Sequence, residues 1–104
     1  MADVKIRDER HNISRKRGNG QLRREVWADH HGKVIRYNLA YINYRVFPGD
    51  NGRVLGYDNQ HGHHHRHFMG KIETMDFVSF EELEERFDQE WSTLLSDNGG
   101  GLSR

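Results

Sequence analysis

The sequence contains no cysteine, so neither disulfide bonds nor thiolate metal sites are available to it. It also lacks any apolar run close to the roughly 20 residues that a membrane-spanning helix needs. Residues 1–5 have none of the apolar character of a secretory signal. We therefore expect a cytoplasmic protein.

Hydrophobic residues are scarce as well, at 34% of the 104 residues, whereas charged residues make up 31%. An average globular chain is roughly 45–50% apolar on a count that includes glycine. Five Phe, four Tyr and two Trp partly compensate, because each aromatic side chain buries a large area. A chain of this length has room for one core. We predict a single domain over residues 1–96 and a disordered tail over residues 97–104.

The net charge of zero conceals an uneven distribution. Residues 1–56 hold 12 Lys/Arg and 6 Asp/Glu, whereas residues 57–104 hold 4 Lys/Arg and 10 Asp/Glu. A basic segment suits phosphate binding, because neutralised phosphates release condensed counterions. The ordinary alternative is that these charges only solvate the surface.

The N-terminal two thirds of the chain shows β-strand patterns separated by turn residues. The predicted strands are residues 3–7, 22–28, 33–47 and 53–57, with turns at 18–20, 31–32 and 48–52. Such short connections require antiparallel pairing. Apolar residues on both faces of the third run predict a central strand whose two faces are both at least partly covered.

An amphipathic helix closes the sequence. Ser79 is a good N-cap and Glu82 completes a capping box, while Val78 and Leu83 are spaced for a hydrophobic staple. The apolar stripe that follows is read as core, and it consists of Phe80, Leu83, Phe87, Trp91, Leu94 and Leu95. The predicted fold class is α+β: an antiparallel β-meander of four to five strands packed against one C-terminal amphipathic helix.

Five of the eight histidines lie between His61 and His67, and this segment is the main candidate for function. Histidine changes charge near neutral pH and is a common ligand of transition metals. If the segment is extended, His63, His65 and His67 share one face and can bind zinc or nickel. A non-catalytic basic binding loop and a solvated surface loop are the other open interpretations.

Acid–base chemistry on RNA is a further interpretation of the same segment. Cleavage by the 2′-hydroxyl needs a base, an acid and a cation that stabilises charge on phosphorus. His65, Arg66 and His67 supply these groups, although Arg66 needs an irregular backbone to join the two histidines. Tyr57 and Phe68 are candidates for stacking on a base.

A second cluster consists of basic residues on both sides of the predicted turn at 18–20. Arg15, Lys16, Arg17, Arg23 and Arg24 suit contact with phosphates, and a solvated loop is the equally open alternative.

Three segments together resemble a known family: residues 53–59 (RVLGYDN), 64–67 (HHRH) and 77–83 (FVSFEEL). They resemble the TumE-like toxin family of bacterial toxin–antitoxin systems, and the resemblance spans roughly residues 4–95. It implies an N-terminal β-meander, a Tyr-Asp-Asn motif, a His-His-basic-His motif and a closing helix. This chain departs from the family in the short gap between the two motifs and in a polar insertion around residues 10–17.

The resemblance implies a toxin that a helix-turn-helix antitoxin protein binds and silences. Its motif positions are Tyr57, Asp58, Asn59, His64, His65, Arg66 and His67. We predict a ribonuclease-type toxin that requires no cofactor, and Asn59 joins the basic cluster as a nucleic-acid-binding residue.

In this hypothesis, His65 and His67 form the acid–base pair and Arg66 clamps the phosphate. Tyr57 orients the substrate, and Asp58 holds a histidine in its working tautomer. The alternative is a non-catalytic module that binds nucleic acid or metal together with a helix-turn-helix partner. A homodimer is left open.

Overall fold

The computed structural model describes residues 3–97, which form one antiparallel sheet and one helix. Three single-turn 3₁₀ segments, Arg15–Arg17, Asp50–Gly52 and Gln60–Gly62, lie in the connections. The main elements are β1 (Val4–Asn12), β2 (Gln21–Ala28), β3 (Val34–Ile42), β4 (Arg53–Asp58), β5 (His65–Phe68), β6 (Lys71–Thr74) and α1 (Phe80–Asp97). The strands follow one another across the sheet in chain order.

This architecture confirms the α+β class and the antiparallel meander, but the described residues form six strands instead of four to five. The additional strands are β5, which comes from the histidine-rich segment and pairs with β4, and β6, which follows it and pairs with β5. The helix extends to Asp97, and the rest of the predicted tail lies outside the described residues.

The hairpin between β1 and β2 is fastened to the end of β3 by one buried amide. Asn43 is 2% exposed, and its side-chain nitrogen donates to the carbonyl oxygens of Gly18 and Asn19 at 3.1 and 3.2 Å. Gly20 has a φ of +112°, and a Cβ there would come within 2.7 Å of the Ile42 carbonyl oxygen. The predicted turn at 18–20 therefore requires glycine for both its conformation and its packing.

The start of α1 confirms the predicted N-cap. The Ser79 Oγ accepts the Glu82 N–H at 3.1 Å, which satisfies one of the free donors in the first turn. The predicted staple is wrong, because Val78 is 75% exposed and does not pack on Leu83. No helix in the described range is long and apolar enough to cross a membrane.

The core lies between α1 and one face of the sheet, as the helical stripe predicted. Phe80, Leu83 and Phe87 are buried there, and Trp91, Leu94 and Leu95 pack at its margin. The sheet contributes mainly Tyr37, Leu39 and Tyr41 from β3 and Leu55 and Tyr57 from β4. Each fully buried Leu or Phe side chain of this core stabilises the fold by about 1.5–3 kcal/mol.

The opposite face of the sheet has no second layer in the described range, but neighbouring side chains leave Ala40 only 4% exposed and Asn38 half-buried, so both faces of β3 are at least partly covered, as predicted. Within residues 3–97, no helix or second sheet lies over that face. We call it the open face, and its cross-strand neighbours are Arg23, Glu25, Asn38, Ala40, Gly56, Asp58, His65 and His67.

Candidate functional site on the open face

The hairpin of β4 and β5 brings the two histidines of the predicted acid–base pair next to Asp58. Asp58 lies directly opposite His65, and Gly56 lies directly opposite His67. Residues paired across antiparallel strands share a face, and alternate residues of one strand do too. The regular pairing of β5 therefore places His65 and His67 together on the open face.

Asp58 is the centre of this group. It is 6% exposed, and its Oδ2 lies 2.8 Å from Nε2 of His67. Its Oδ1 lies 3.9 Å from Nδ1 of His65. One buried carboxylate therefore faces both histidines, which suits the predicted role of Asp58 in orienting an imidazole.

His67 is 9% exposed and lies between a cation and an anion. Its Nδ1 is 3.1 Å from Nη2 of Arg53. Because a guanidinium only donates, Nδ1 must accept, and the proton of the neutral ring belongs on Nε2 beside Asp58. That Nε2 is close to the carboxylate, yet its direction does not make an aligned hydrogen bond.

The pKa of His67 is lowered, firstly by burial and secondly by Arg53, which together outweigh the opposing effect of Asp58. This environment therefore favours the neutral form of His67. With one nitrogen against Arg53 and the other against Asp58, it has little freedom to exchange protons with a substrate.

Arg53 is a site residue that the sequence interpretation did not include. Its Nε donates to Asp50 Oδ2 at 2.8 Å, and its Nη1 lies 3.6 Å from Asp58 Oδ2. The side chain crosses over Gly56, where an added Cβ would come within 2.7 Å of Arg53 Cδ. A glycine inside a strand is the sequence signal for such a close approach.

These groups line one cavity of about 380 Å³. Its other walls include Asn38, Gln60 and His61. His61, which the sequence interpretation placed in the candidate segment but not among the catalytic residues, has a φ of 62° and lies before Gly62 in the connection between β4 and β5. The His65 side chain is 23% exposed, so it is accessible to a molecule in this cavity.

Tyr57 and Arg66 lie on the other side of the sheet, away from His65 and His67. The Tyr57 hydroxyl donates to Glu90 of α1, and burial followed by this carboxylate raises its pKa to about 12. Arg66 donates to Glu90 at 2.9 Å and to Glu73 at 3.2 Å. The irregular backbone that Arg66 would need to join the histidines is not formed.

Asn59 and His64, the two remaining motif positions, hold the fold. The Asn59 side chain accepts the Tyr37 N–H at 3.0 Å and donates to the Ile35 carbonyl at 2.9 Å. His64 Nδ1 is 2.7 Å from the Tyr37 hydroxyl, and its ring stacks on Phe77 with a centroid distance of 4.1 Å. Burial lowers the pKa of His64, with His65 adding to the effect. Both side chains thus have structural partners, and both also line a neighbouring cavity of about 700 Å³.

The predicted metal ligands form a row but do not converge. The ring centroids of His63 and His65 are 6.1 Å apart, and those of His65 and His67 are 6.3 Å apart. In the part of the chain that the structure describes, no group of three or more His, Asp or Glu residues is arranged to hold a metal ion.

The predicted basic cluster is divided by the fold. Arg15, Lys16 and Arg17 are exposed at the tip of the β1–β2 hairpin. Arg23 lies on the open face and pairs with Glu25 at 3.0 Å, whereas Arg24 faces α1 and pairs with Asp88 at 2.6 Å. Arg23 can contact a ligand on the open face, whereas Arg24 cannot, and the hairpin tip is exposed to solvent.

Comparison with known proteins adds no relative: no protein-family model, curated protein or solved structure matches the chain. The likeness to the TumE-like family therefore rests on the motifs in the sequence and stays a prediction.

Proposed function

We propose that this protein is the toxin-like component of a bacterial toxin–antitoxin system and that it cleaves RNA on the open face. The observation that carries the proposal is the convergence of Asp58, His65, His67 and Arg53 on one accessible cavity. Titratable groups around a buried carboxylate, with a cation beside them, are the components of acid–base phosphoryl transfer.

In the proposed reaction, His65 is the general base and Asp58 orients it. His65 takes the proton of the 2′-hydroxyl, the 2′-oxygen attacks phosphorus, and the bond from phosphorus to the 5′-oxygen breaks. His61, on the same cavity, is the general acid that gives a proton to the departing 5′-oxygen. The products are a 2′,3′-cyclic phosphate and a 5′-hydroxyl end.

Arg53 takes the role that the sequence interpretation gave to Arg66, because it is the arginine in the same cavity as the histidines. It stabilises the charge that develops on the phosphate oxygens. His67 becomes a positioning residue, because its two nitrogens face Arg53 and Asp58 and hold both in place.

The experiment is a cleavage assay with the purified full chain and single-stranded RNA, in the presence of a chelator. We expect cyclic-phosphate products, and we expect His65→Ala to lower the rate at least about 100-fold, as loss of a general base does. His11→Ala is the matched control, because His11 is exposed on β1 and lies outside the cavity. Equal rates for His65→Ala and the parent would remove His65 from the mechanism.

The antitoxin part of the proposal has a separate test. Expression of the chain in a bacterial host should arrest growth, and His65→Ala should not. Co-expression of the helix-turn-helix protein encoded beside the gene should restore growth and co-purify with the chain. Growth arrest by His65→Ala equal to that by the parent would contradict a catalytic toxin.

A further inference from the structure

The cavity that holds Asp58 and His65 is the middle one of three adjoining cavities, which run from the open face to the start of β3 and the connection between β4 and β5. It shares Gln60 and His61 with a cavity of about 700 Å³ on one side. It shares Asn38 and Arg53 with a cavity of about 240 Å³ on the other side. We call these three cavities the groove. A continuous groove fits a linear polymer better than it fits a compact small molecule.

An aromatic ring with two cations lies beside this groove. Trp27 on β2 is on the open face, and Arg36 is its cross-strand neighbour on β3. The Arg36 Cζ lies over the Trp27 ring at 4.5 Å from the centroid, and Lys5 Nζ lies at 5.0 Å. Arg36 is exposed and lines the largest cavity of the groove. Its planar guanidinium thus has one side over an aromatic ring and is accessible from the groove.

We infer that Arg36 on Trp27 is a base-stacking platform and that the molecule in the groove is a single-stranded nucleic acid leading to His65. Arginine planes and aromatic rings are the surfaces on which unpaired bases stack. The spacing of the strands and the rise per residue put the backbones of Arg36 and His65 about 12 Å apart across the sheet, a distance that a few nucleotides span. This inference deepens the proposed function, because it names the substrate class of the same site.

The charges of the two layers say which face a polyanion avoids. Helix α1 carries seven Asp/Glu and one Arg, so it repels a polyanion, even though Arg7, Arg24 and Arg66 of the sheet pair with acidic residues of the helix. The charged residues that line the groove are balanced: Arg23, Arg36 and Arg53 against Asp3, Asp50 and Asp58. The flat Arg36 surface over Trp27, and not net charge, therefore favours a nucleic acid over a peptide.

The platform also favours a single strand over a duplex. In a double helix the base faces are stacked on one another, so a flat guanidinium cannot reach them. In a single strand, each base presents a face that can stack, whatever its sequence. We therefore expect little dependence on sequence at this position and a clear preference for unpaired strands.

The test measures binding of a fluorescein-labelled octadeoxythymidine to the full chain by fluorescence anisotropy at fixed salt. This probe lacks the 2′-hydroxyl and is not cleaved. We expect Arg36→Ala and Trp27→Leu each to weaken binding about tenfold or more. We expect Arg36→Lys to bind only slightly more tightly than Arg36→Ala, because lysine keeps the positive charge but lacks the planar group on which a base stacks. Arg86→Ala, an equal change of charge on α1, is the control and should bind like the parent.

Three results would overturn the platform: parent-like binding by Arg36→Lys, equal binding of a duplex of the same length, or equal competition by a polyglutamate peptide. Because Arg36 is exposed, its variants remain informative even if Trp27→Leu fails to fold. Binding of the probe without any cleavage of RNA would remove the proposed catalysis and keep the platform. Cleavage of RNA with a KM that Arg36→Ala does not change would keep the catalysis and remove the platform.

Discussion

Gly56 decides where the Arg53 guanidinium lies. The Arg53 side chain occupies the space in which any larger residue at 56 would place its Cβ, 2.7 Å from Arg53 Cδ. From there it reaches Asp50, Asp58 and His67. The Arg53 guanidinium can therefore lie in the site because Gly56, on the same strand, has no side chain.

Substitution of Gly56 should therefore act through Arg53. We expect Gly56→Ala to displace the guanidinium, to destabilise the fold by about 1–3 kcal/mol through overpacking, and to lower RNA cleavage. In an Arg53→Ala background, which lacks Cδ, the same substitution should cost much less. Urea unfolding of the four proteins of this double-mutant cycle measures the coupling. Additive effects would show that Gly56 and Arg53 act independently.

The role of Tyr57 differs between the sequence, which predicts that it orients the substrate, and the structure, in which it contacts the helix. If Tyr57 oriented the substrate, Tyr57→Phe would impair cleavage. Because its hydroxyl faces Glu90 on the helix side, we expect Tyr57→Phe to cost about 0.5–1.5 kcal/mol of stability and to leave cleavage unchanged. Urea unfolding and the RNA assay together measure this. A large loss of activity in a stable Tyr57→Phe protein would return Tyr57 to the site.

At the scale of elements, the alternation of side chains along β5 places the residues of the His-Arg-His motif on opposite faces of the sheet. Its odd-numbered residues His65 and His67 face the cavity, whereas Arg66 pairs with Glu90 of α1. The connection before β5 adds His64 to the core side and His61 to the cavity. One short segment thus both lines the site and attaches the sheet to the helix.

The hairpin between β1 and β2 should add affinity for nucleic acid without adding stability. Arg15, Lys16 and Arg17 are exposed at its tip, and the tip is held by Asn43 and not by these side chains. We expect the triple alanine variant to reduce the slope of log affinity against log salt by about 2 for a single strand. Thermal unfolding should stay as in the parent, and an unchanged slope would show that the tip makes no phosphate contact.

At the scale of the whole molecule, two partly buried histidines link stability to pH. Burial, with His65 for His64 and Arg53 for His67, lowers the pKa of both rings below the ordinary value of 6.5. The unfolded chain therefore binds protons more readily than the folded chain just below pH 6.5. The stability that these neutral rings contribute is complete above pH 6.5 and is lost as the pH falls toward the lowered values.

We therefore expect the free energy of unfolding in urea to fall between pH 7.5 and pH 5.5. Glu25 does not interfere in this window: burial raises its pKa, but hydrogen bonds from Lys5, Asn38 and Arg23 outweigh burial and hold it at about 2. The double variant His64→Gln/His67→Gln should show a smaller fall, whereas His31→Gln, at an exposed turn, should behave like the parent. An equal fall in the double variant would assign the effect to other groups.

The sequence alone determined the local structure of this protein. The capping serine, the spacing of the helical stripe from Phe80 to Leu95, and the glycine and proline turns reflect local backbone preferences, so their patterns predict them, although the sheet and Asn43 complete their packing. The position of His65 and His67 on the same face of the sheet follows from the alternation of side chains along a strand. The six-strand count was missed because His65–Phe68 and Lys71–Thr74 are short, polar strands that lack an alternating apolar pattern.

Only the tertiary structure decided which side of the sheet each functional candidate faces and which partners it meets. Arg53 on β4 reaches His67 on the neighbouring strand β5, and Asn59 after β4 bonds to the backbone of β3, through contacts between residues distant in sequence. A strand pattern separates two faces but does not say which one a helix will cover. The packing of α1 on Tyr57 made that choice, which put Arg66 in the interface with the helix and left Asp58 and His65 on the open face.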